Sequence, residues 1–225
     1  MTRKARYVAG GLLTEVPTSM TYSSVVSRDT VRIGFLIAAL NNLDVLAGDI
    51  QNAFLSASTK ERIFFYAGDE WGNDRDRVVV VIRALYGLKS SALQFHNHLA
   101  NTLGNRLGFR SSLADPDLWM KAETDLQGFK HYSCILVYVD DLLIIDKQPS
   151  RYMKMVQQDF TVKPDSIQRP TSYLGAEIGK INYPDGSYAW TMGAQGYVKK
   201  VVKNVKKRLE DDHLQMLLEL NPYLS

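Results

Sequence analysis

The sequence predicts an α+β fold in which an antiparallel sheet carries helices packed on one face. Three observations predict it. β-rich runs and helix-period segments alternate irregularly, not as a strict strand–helix repeat. Two β-rich runs, "YSCILVYV" and "LLIIDK", are separated only by an aspartate pair, which suits a hairpin. A second strand pair, "TSYLGAEIGKI" and "SYAWTMGA", is joined through the strong turn signal "NYPDGS".

The elements follow in order. A basic strand-like opening, "RKARYVAGG", leads into a Thr/Ser/Pro loop at 14–24. "SRDTVRIGFLIAALNNLD" reads as a helix, with Val31, Phe35, Leu36, Ala39 and Leu40 at helical spacing, Ser27 able to cap it and Asp29 in its first turn. "VLAGDIQNAFL" is a short apolar strand leaving through Asp49. "ERIFFYAG" and "RVVVVIRAL" are strand-like, and "YGLKSSALQFHNHLANTLGNRLG" turns into a helix that stops at Gly108. "SSLADPDLWMKAET" is a turn and a strand, and "SRYMKMVQQDFTV" a further helix. The tail, "QGYVKKVVKNVKKRLEDDHLQMLLEL", is an amphipathic helix with Val198, Val201, Val202, Val205 and Leu209 on one face and its lysines largely off it.

At 225 residues and 45% apolar the chain is a folded domain or one domain in lobes. A net charge of +3 permits a polyanionic partner without demanding one. Cys134, the single cysteine, excludes a disulfide framework and suits a reducing compartment, and the four histidines make no zinc pattern with it. No stretch has the length of a membrane span, so no membrane partner is expected.

"ILVYVDDLLII" puts Asp140 and Asp141 inside a run of large apolar side chains. Two buried like charges are costly. In a regular strand neighbouring side chains point to opposite faces, but at a hairpin tip both carboxylates can approach one point. Two exposed aspartates in a turn need no function. Asp49, at the end of another apolar strand, changes that weighing. Strands delivering Asp49, Asp140 and Asp141 to one sheet edge would make a hard-oxygen site suited to Mg²⁺ or Mn²⁺. A pair of such ions about 3.5–4 Å apart serves phosphoryl transfer.

Seven segments, in order, resemble the copia-type retrotransposon reverse transcriptases: "KARYVAGG", "TYSSVVSRDTVR", "GDIQNAFL", "ALYGLKSSA", "LADPDLWMK", "YVDD" and "SYLGAEI". The resemblance covers roughly residues 3–205. It implies an RNA-directed DNA polymerase with a right-hand fold: fingers at about 1–25 and 57–90, palm at about 26–56 and 91–185, and a partial, basic, helical thumb at 186–225. It implies two Mg²⁺ (or Mn²⁺) ions, an RNA template, a DNA or RNA primer and a dNTP. It also implies a longer polyprotein with integrase and ribonuclease H parts, and an intracellular setting in cytoplasm, virus-like particles and nucleus.

The resemblance also assigns residues. Asp49, Asp140 and Asp141 are the catalytic carboxylates, with Ile50 lending a carbonyl oxygen to the metals. Phe54 is the gate against a ribose 2′-hydroxyl, where a core phenylalanine is the plain alternative. Gln51, Asn52 and Ala53 line the triphosphate, and Arg6 and Lys4 grip it. Tyr86, Gly87 and Lys89 lie beneath the templating pair, and Tyr138 joins the primer site. Tyr173, Leu174 and Gly175 are the primer-holding hairpin, with an edge strand as the alternative. Lys163 is either the proton donor to pyrophosphate or a surface lysine. The chain departs from the family at Ser90, Ala92, Leu93 and Phe95, on the helix that places the template base. Two other readings stand beside the polymerase: an inactive remnant that binds nucleic acid or a partner, and a metal-dependent nuclease or nucleotidyltransferase on a similar palm.

Overall fold

A computed structural model describes residues 8–11, 14 and 21–208. The chain divides into two compact units, Met1–Arg169 and Pro170–Ser225.

In the first unit, α1 (Arg28–Leu40) is followed by β1 (Asp44–Asp49), a single-turn α2 (Ala53–Ser56), and a ribbon of β2 (Phe64–Tyr66) and β3 (Val78–Val80). Then come α3 (Ser91–Asn101), β4 (Arg110–Ser111), β5 (Leu118–Thr124), β6 (Lys130–Tyr138), β7 (Asp141–Asp146) and α4 (Pro149–Val156). Strands β1, β7, β6, β5 and β4 form an antiparallel sheet in that order.

Ser27 caps α1 as expected, its hydroxyl accepting from the Thr30 amide at 3.1 Å. The buried face is rotated from the one the spacing suggests. Val31, Gly34, Phe35 and Ala38 go inward, while Leu36 and Leu40 are exposed. Gly34 permits the close approach: a Cβ there would lie 3.0 Å from Cδ1 of Ile145 and 3.3 Å from Leu136. Helix α3 runs on into a π-helical turn, Thr102–Arg106, and the chain reverses at Gly108 with φ +76°.

Helices cover both faces of this sheet, which corrects the expectation of one. The period-2 alternation splits β6 and β7. Leu136 and Ile145 face α1. Ile135, Val137, Leu142 and Ile144 pack with Phe95, Leu99 and Leu103 from α3 and its extension, and with Tyr152, Met153 and Val156 of α4. Near-continuous apolar runs in β6 and β7 are the sequence of strands buried on both sides. Each such side chain contributes roughly 1.5–3 kcal/mol on burial. Cys134 is wholly buried on β6, and burial first, then the charge of Asp146, pushes its thiol up to about 12.

The second unit is an antiparallel sheet ordered β10 (Tyr188–Gly193), β9 (Ala176–Asn182), β8 (Ser172–Tyr173), followed by α5 (Gln195–Arg208). The strands flanking "YPDGS" are continuous partners from Asn182↔Tyr188 to Glu177↔Gly193. The two compact units divide at Arg169/Pro170, so residues 170–185 lie in the second unit with the tail. In α5, Val198, Val201, Val202 and Val205 are exposed, and Leu209 lies outside the described residues. Among the described residues no helix is long and apolar enough to cross a membrane.

Asp115 fastens α1 to the turn before β5. Its carboxylate accepts from the Ser27 amide at 2.9 Å, from the Thr30 hydroxyl, and from the Asp117 amide at 3.2 Å. Burial opposes the charged form, but these hydrogen bonds outweigh it and hold the carboxyl below its usual range. Asp115→Ala is expected to cost about 1–3 kcal/mol at pH 7 in urea denaturation. Because the folded pKa is the lower one, the stabilisation is complete above about pH 4 and fades on further acidification, so the deficit of the variant shrinks there.

Candidate functional site

The carboxylates converge through strand pairing. Asp49 ends β1, Asp141 begins β7, and they are direct Cα partners in the ladder. The β6–β7 hairpin closes on Tyr138↔Asp141, leaving Val139 and Asp140 as its two-residue turn. Val139 has φ +55°, a left-handed conformation that is rare for a β-branched side chain and costs on the order of 1–3 kcal/mol. The Ile50 amide donates to the Asp140 carbonyl at 2.8 Å, tying the tip to the end of β1.

Two like charges opposite each other in a ladder repel. The Lys163 ammonium ion-pairs with Oδ2 of Asp49 and is a cation of this cluster among the described residues. Its pKa is raised, first by the hydrogen bond to Asp49 and then by the fields of Asp49, Asp140 and Asp141, with desolvation opposing. Residues 161–163 run antiparallel beside the end of β1: Gln51 donates to the Thr161 carbonyl at 2.7 Å and Lys163 to that of Asp49 at 3.0 Å. Ser166 completes the frame, its hydroxyl accepting from the Asp49 amide at 2.9 Å and donating to the Lys163 carbonyl at 2.7 Å. Burial, then the charges of Asp140 and Asp49, push the Asp141 carboxyl up to about 6, with Lys163 pulling the other way.

A cavity of about 200 Å³ is lined by Ile50, Gln51, Asn52, Tyr86, Asp140, Lys163, Pro164 and Asp165. It thus joins the carboxylate motif to the turn after β1 and to Tyr86. Asn52 adopts a left-handed φ of +52° to start α2, and Ala53 is buried. Phe54 is half-buried, 4.7 Å from the Tyr86 ring centroid and 6.2 Å from that of Phe95. It touches both the core and a cavity-lining ring.

Other expected residues lie elsewhere. Gly87, at φ +94°, allows close backbone approach, but to this chain's own Ala9: a Cβ there would sit 2.0 Å from the Ala9 carbonyl oxygen. Ala9 donates to the Tyr86 carbonyl at 2.8 Å in the same contact. Lys89 donates to the Thr14 carbonyl at 2.8 Å and does not line the cavity. Tyr138 is partly exposed opposite Asp141. In the second unit Tyr173 is buried on edge strand β8, with Leu174 and Gly175 forming the left-handed turn into β9 (φ +50° and +74°). Lys4 and Arg6 lie outside the described residues.

Sequence reasoning missed the frame made by Ser166 and the strand-like 161–163. "TVKPDS" offers only a Pro-Asp turn signal, and nothing local says which strand it will join. It also missed His96, whose Nε2 lies 2.7 Å from Oδ1 of the fully buried Asp117. The Asp117 carbonyl accepts from the Val137 amide at 3.0 Å, so this pair braces the strand that leads into the hairpin turn.

The donor chemistry at this sheet edge suits a hard divalent cation. The carboxylates are hard oxygen ligands, and Oδ1 of Asp49 is buried without a hydrogen-bond partner among the described residues. Among the same residues no three His, Cys, Asp or Glu side chains are drawn together tightly enough to hold an ion, and Lys163 stands against Asp49. The donor chemistry fits a divalent cation, while the side chains as placed are balanced by an ammonium instead.

The family model described as "Reverse transcriptase (RNA-dependent DNA polymerase)" matches residues 1–211. The chain is 30% identical over 185 residues to the retrovirus-related Pol polyprotein from transposon RE1 of Arabidopsis thaliana, covering 79% of this chain and 12% of that protein. It is 28% identical over 156 residues to the putative transposon Ty5-1 protein of Saccharomyces cerevisiae, covering 68% and 47%. It is 22% identical over 248 residues to the transposon Ty1-BR Gag-Pol polyprotein of the same yeast, covering 96% and 13%. The chain spans under half the length of each of these relatives.

Two outcomes follow for the site. Asp141→Asn removes a charge that faces Asp49, so the metal-free protein is expected to gain on the order of 1 kcal/mol at pH 8 in urea denaturation. The gain should vanish near pH 4, where the wild-type carboxyl is protonated. Gly87→Ala should lose about 1–3 kcal/mol or more, since both the left-handed φ and the Ala9 carbonyl oppose a Cβ.

Proposed function

We propose, from the premise that this chain belongs to the reverse transcriptase (RNA-dependent DNA polymerase) family, that it is the polymerase part of a longer retrotransposon polyprotein and extends a primer on an RNA template. The observation that carries the reading is the meeting of Asp49, Asp140 and Asp141 at one end of β1 and β7, beside the cavity lined by Gln51, Asn52 and Tyr86.

In the proposed reaction the primer 3′-hydroxyl attacks the α-phosphorus of a dNTP. One P–O bond forms, the bond to the β-phosphate oxygen breaks, and pyrophosphate leaves. Two divalent ions, when bound, would activate the hydroxyl and stabilise the leaving oxygen. Asp49, Asp140 and Asp141 would hold them, with the Ile50 carbonyl contributing. Gln51, Asn52 and Ala53 would offer backbone groups to the triphosphate, with Lys4 and Arg6 as further cations. Phe54 would close the sugar pocket against a 2′-hydroxyl, supported by its packing on Tyr86. Tyr86, Gly87 and Lys89 are assigned to the template side, and the role of the latter two would be to hold Ala9 and Thr14 in place. Tyr138, Tyr173, Leu174 and Gly175 are assigned to the primer. The right-hand division into fingers, palm and partial thumb belongs to the same reading, as do integrase and ribonuclease H parts elsewhere in the polyprotein.

Lys163 positions Asp49 in the metal-free chain. Its ion pair also favours a second reading, a remnant whose carboxylates rest on a lysine and whose contribution is at most nucleic-acid binding.

Primer extension separates the two. With oligo(dT) on poly(rA), dTTP and Mg²⁺ or Mn²⁺, the chain should incorporate dTMP. Asp140→Asn should lose more than the roughly 10–100-fold typical of outer-shell partners. Phe54→Ala should raise incorporation of UTP relative to dTTP. Folded protein that extends nothing under either metal would leave the remnant reading.

A further inference from the structure

No residue of the β2–β3 ribbon lines that cavity. Its register is Phe64↔Val80, Phe65↔Val79, Tyr66↔Val78. The ladder continues through the Val81 amide, which donates to the Ile63 carbonyl at 2.9 Å. Its two faces differ sharply. Phe65 and Val79 are half-buried, with Phe65 edge-on to Trp71 at 5.9 Å. On the other face Phe64, Tyr66, Val78, Val80 and Ile82 are 62%, 68%, 56%, 63% and 71% exposed. Two directly opposed cross-strand pairs lie within this set, so the side chains form one contiguous apolar strip and not scattered contacts. A two-stranded ribbon with one open apolar face is marginal alone.

The charges at its ends say what fits it. At the root, Lys60, Arg62 and Arg83 stand against Glu61, which is already engaged by the Ser90 amide and hydroxyl. At the tip, Asp69, Glu70, Asp74 and Asp76 outnumber Arg75 and Arg77, even after the pairs Arg75–Asp69 and Arg77–Asp74. The ribbon is therefore apolar in the middle, positive at one end and negative at the other. Turned about a two-fold axis, such a strip matches itself: apolar on apolar, each root over the other tip. A nucleic acid, negative along its whole length, would meet the acidic tip with the wrong sign.

We propose that the exposed β2–β3 face docks a second copy of this chain, in a two-fold interface centred near Phe64 and Val80. Arg62 and Lys60 of each copy face the acidic tip of the other. This inference does not depend on polymerase activity.

Sedimentation velocity on the full chain over about 1–100 µM should show a reversible monomer–dimer equilibrium that weakens with added salt. Phe64→Glu with Val80→Glu should be monomeric at every concentration while keeping the circular dichroism of the parent. Arg62→Glu should weaken the dimer at least about tenfold, and adding Asp74→Lys should restore it, which a merely sticky patch would not do. Cys134 is buried, so an introduced thiol is the reactive one. Mild oxidation should link Val80→Cys into a dimer but leave Leu126→Cys, fully exposed on another hairpin, monomeric. A chain that stays monomeric throughout would overturn the proposal. So would a dimer indifferent to the paired glutamates, or one that links equally through residue 126.

Discussion

Carboxylates brought together by strand pairing need a cation, and much of the first unit's geometry answers to that need. The register of β1 on β7 sets Asp49 opposite Asp141, and the two-residue turn sets Asp140 beside them. Strand pairing sets those charges facing each other. Relief comes from outside it, from Lys163 on the segment after α4, with Ser166 holding both Asp49 and the lysine backbone. An ammonium is one solution to this charge problem. Divalent metal ions, which the family generally uses, are another.

Strand β7 carries an acid at each end, and the contrast shows how environment assigns roles. Asp146 is fully buried, yet accepts from Ser133 at 2.6 Å, His131 at 3.1 Å, the Gln148 amide at 2.9 Å and Arg151 at 3.1 Å. Burial opposes its charge, but those donors hold its carboxyl below the usual range. It is a satisfied structural anion that fastens α4 to the sheet. Asp141 has the opposite balance, with burial and two negative neighbours raising it.

The hairpin bears strain at Val139, and its neighbours keep it in place. The Ile50 amide holds the turn from one side. The Asp117 carbonyl, on a residue locked by His96, holds the strand from the other. Gly87 does similar work at a distance: its contact lays Ala9 against the turn that carries Tyr86 into the cavity. The segment most like a template-binding motif is thus first a scaffold.

Much was legible locally. Ser27 as a cap, Gly108 as a stop, the hairpin around Asp140 and the joined strands 176–193 follow from short-range patterns and turn chemistry that act within a few residues. The aspartates stood out in the sequence because acids are rare inside apolar strands, and the ladder then sets Asp49 opposite Asp141. Tertiary structure decided what spacing cannot encode. It chose Gly34 and Ala38 over Leu36 and Leu40 for the buried stripe of α1, because fit against Ile145 and Leu136 outweighs side-chain size. It put helices on both faces of the sheet. It brought Lys163 across 114 residues to Asp49, and His96 to Asp117. Local sequence determined where acids, turns and apolar strands fall; packing of distant segments decided which of them meet, because burial and charge balance are properties of the assembled fold.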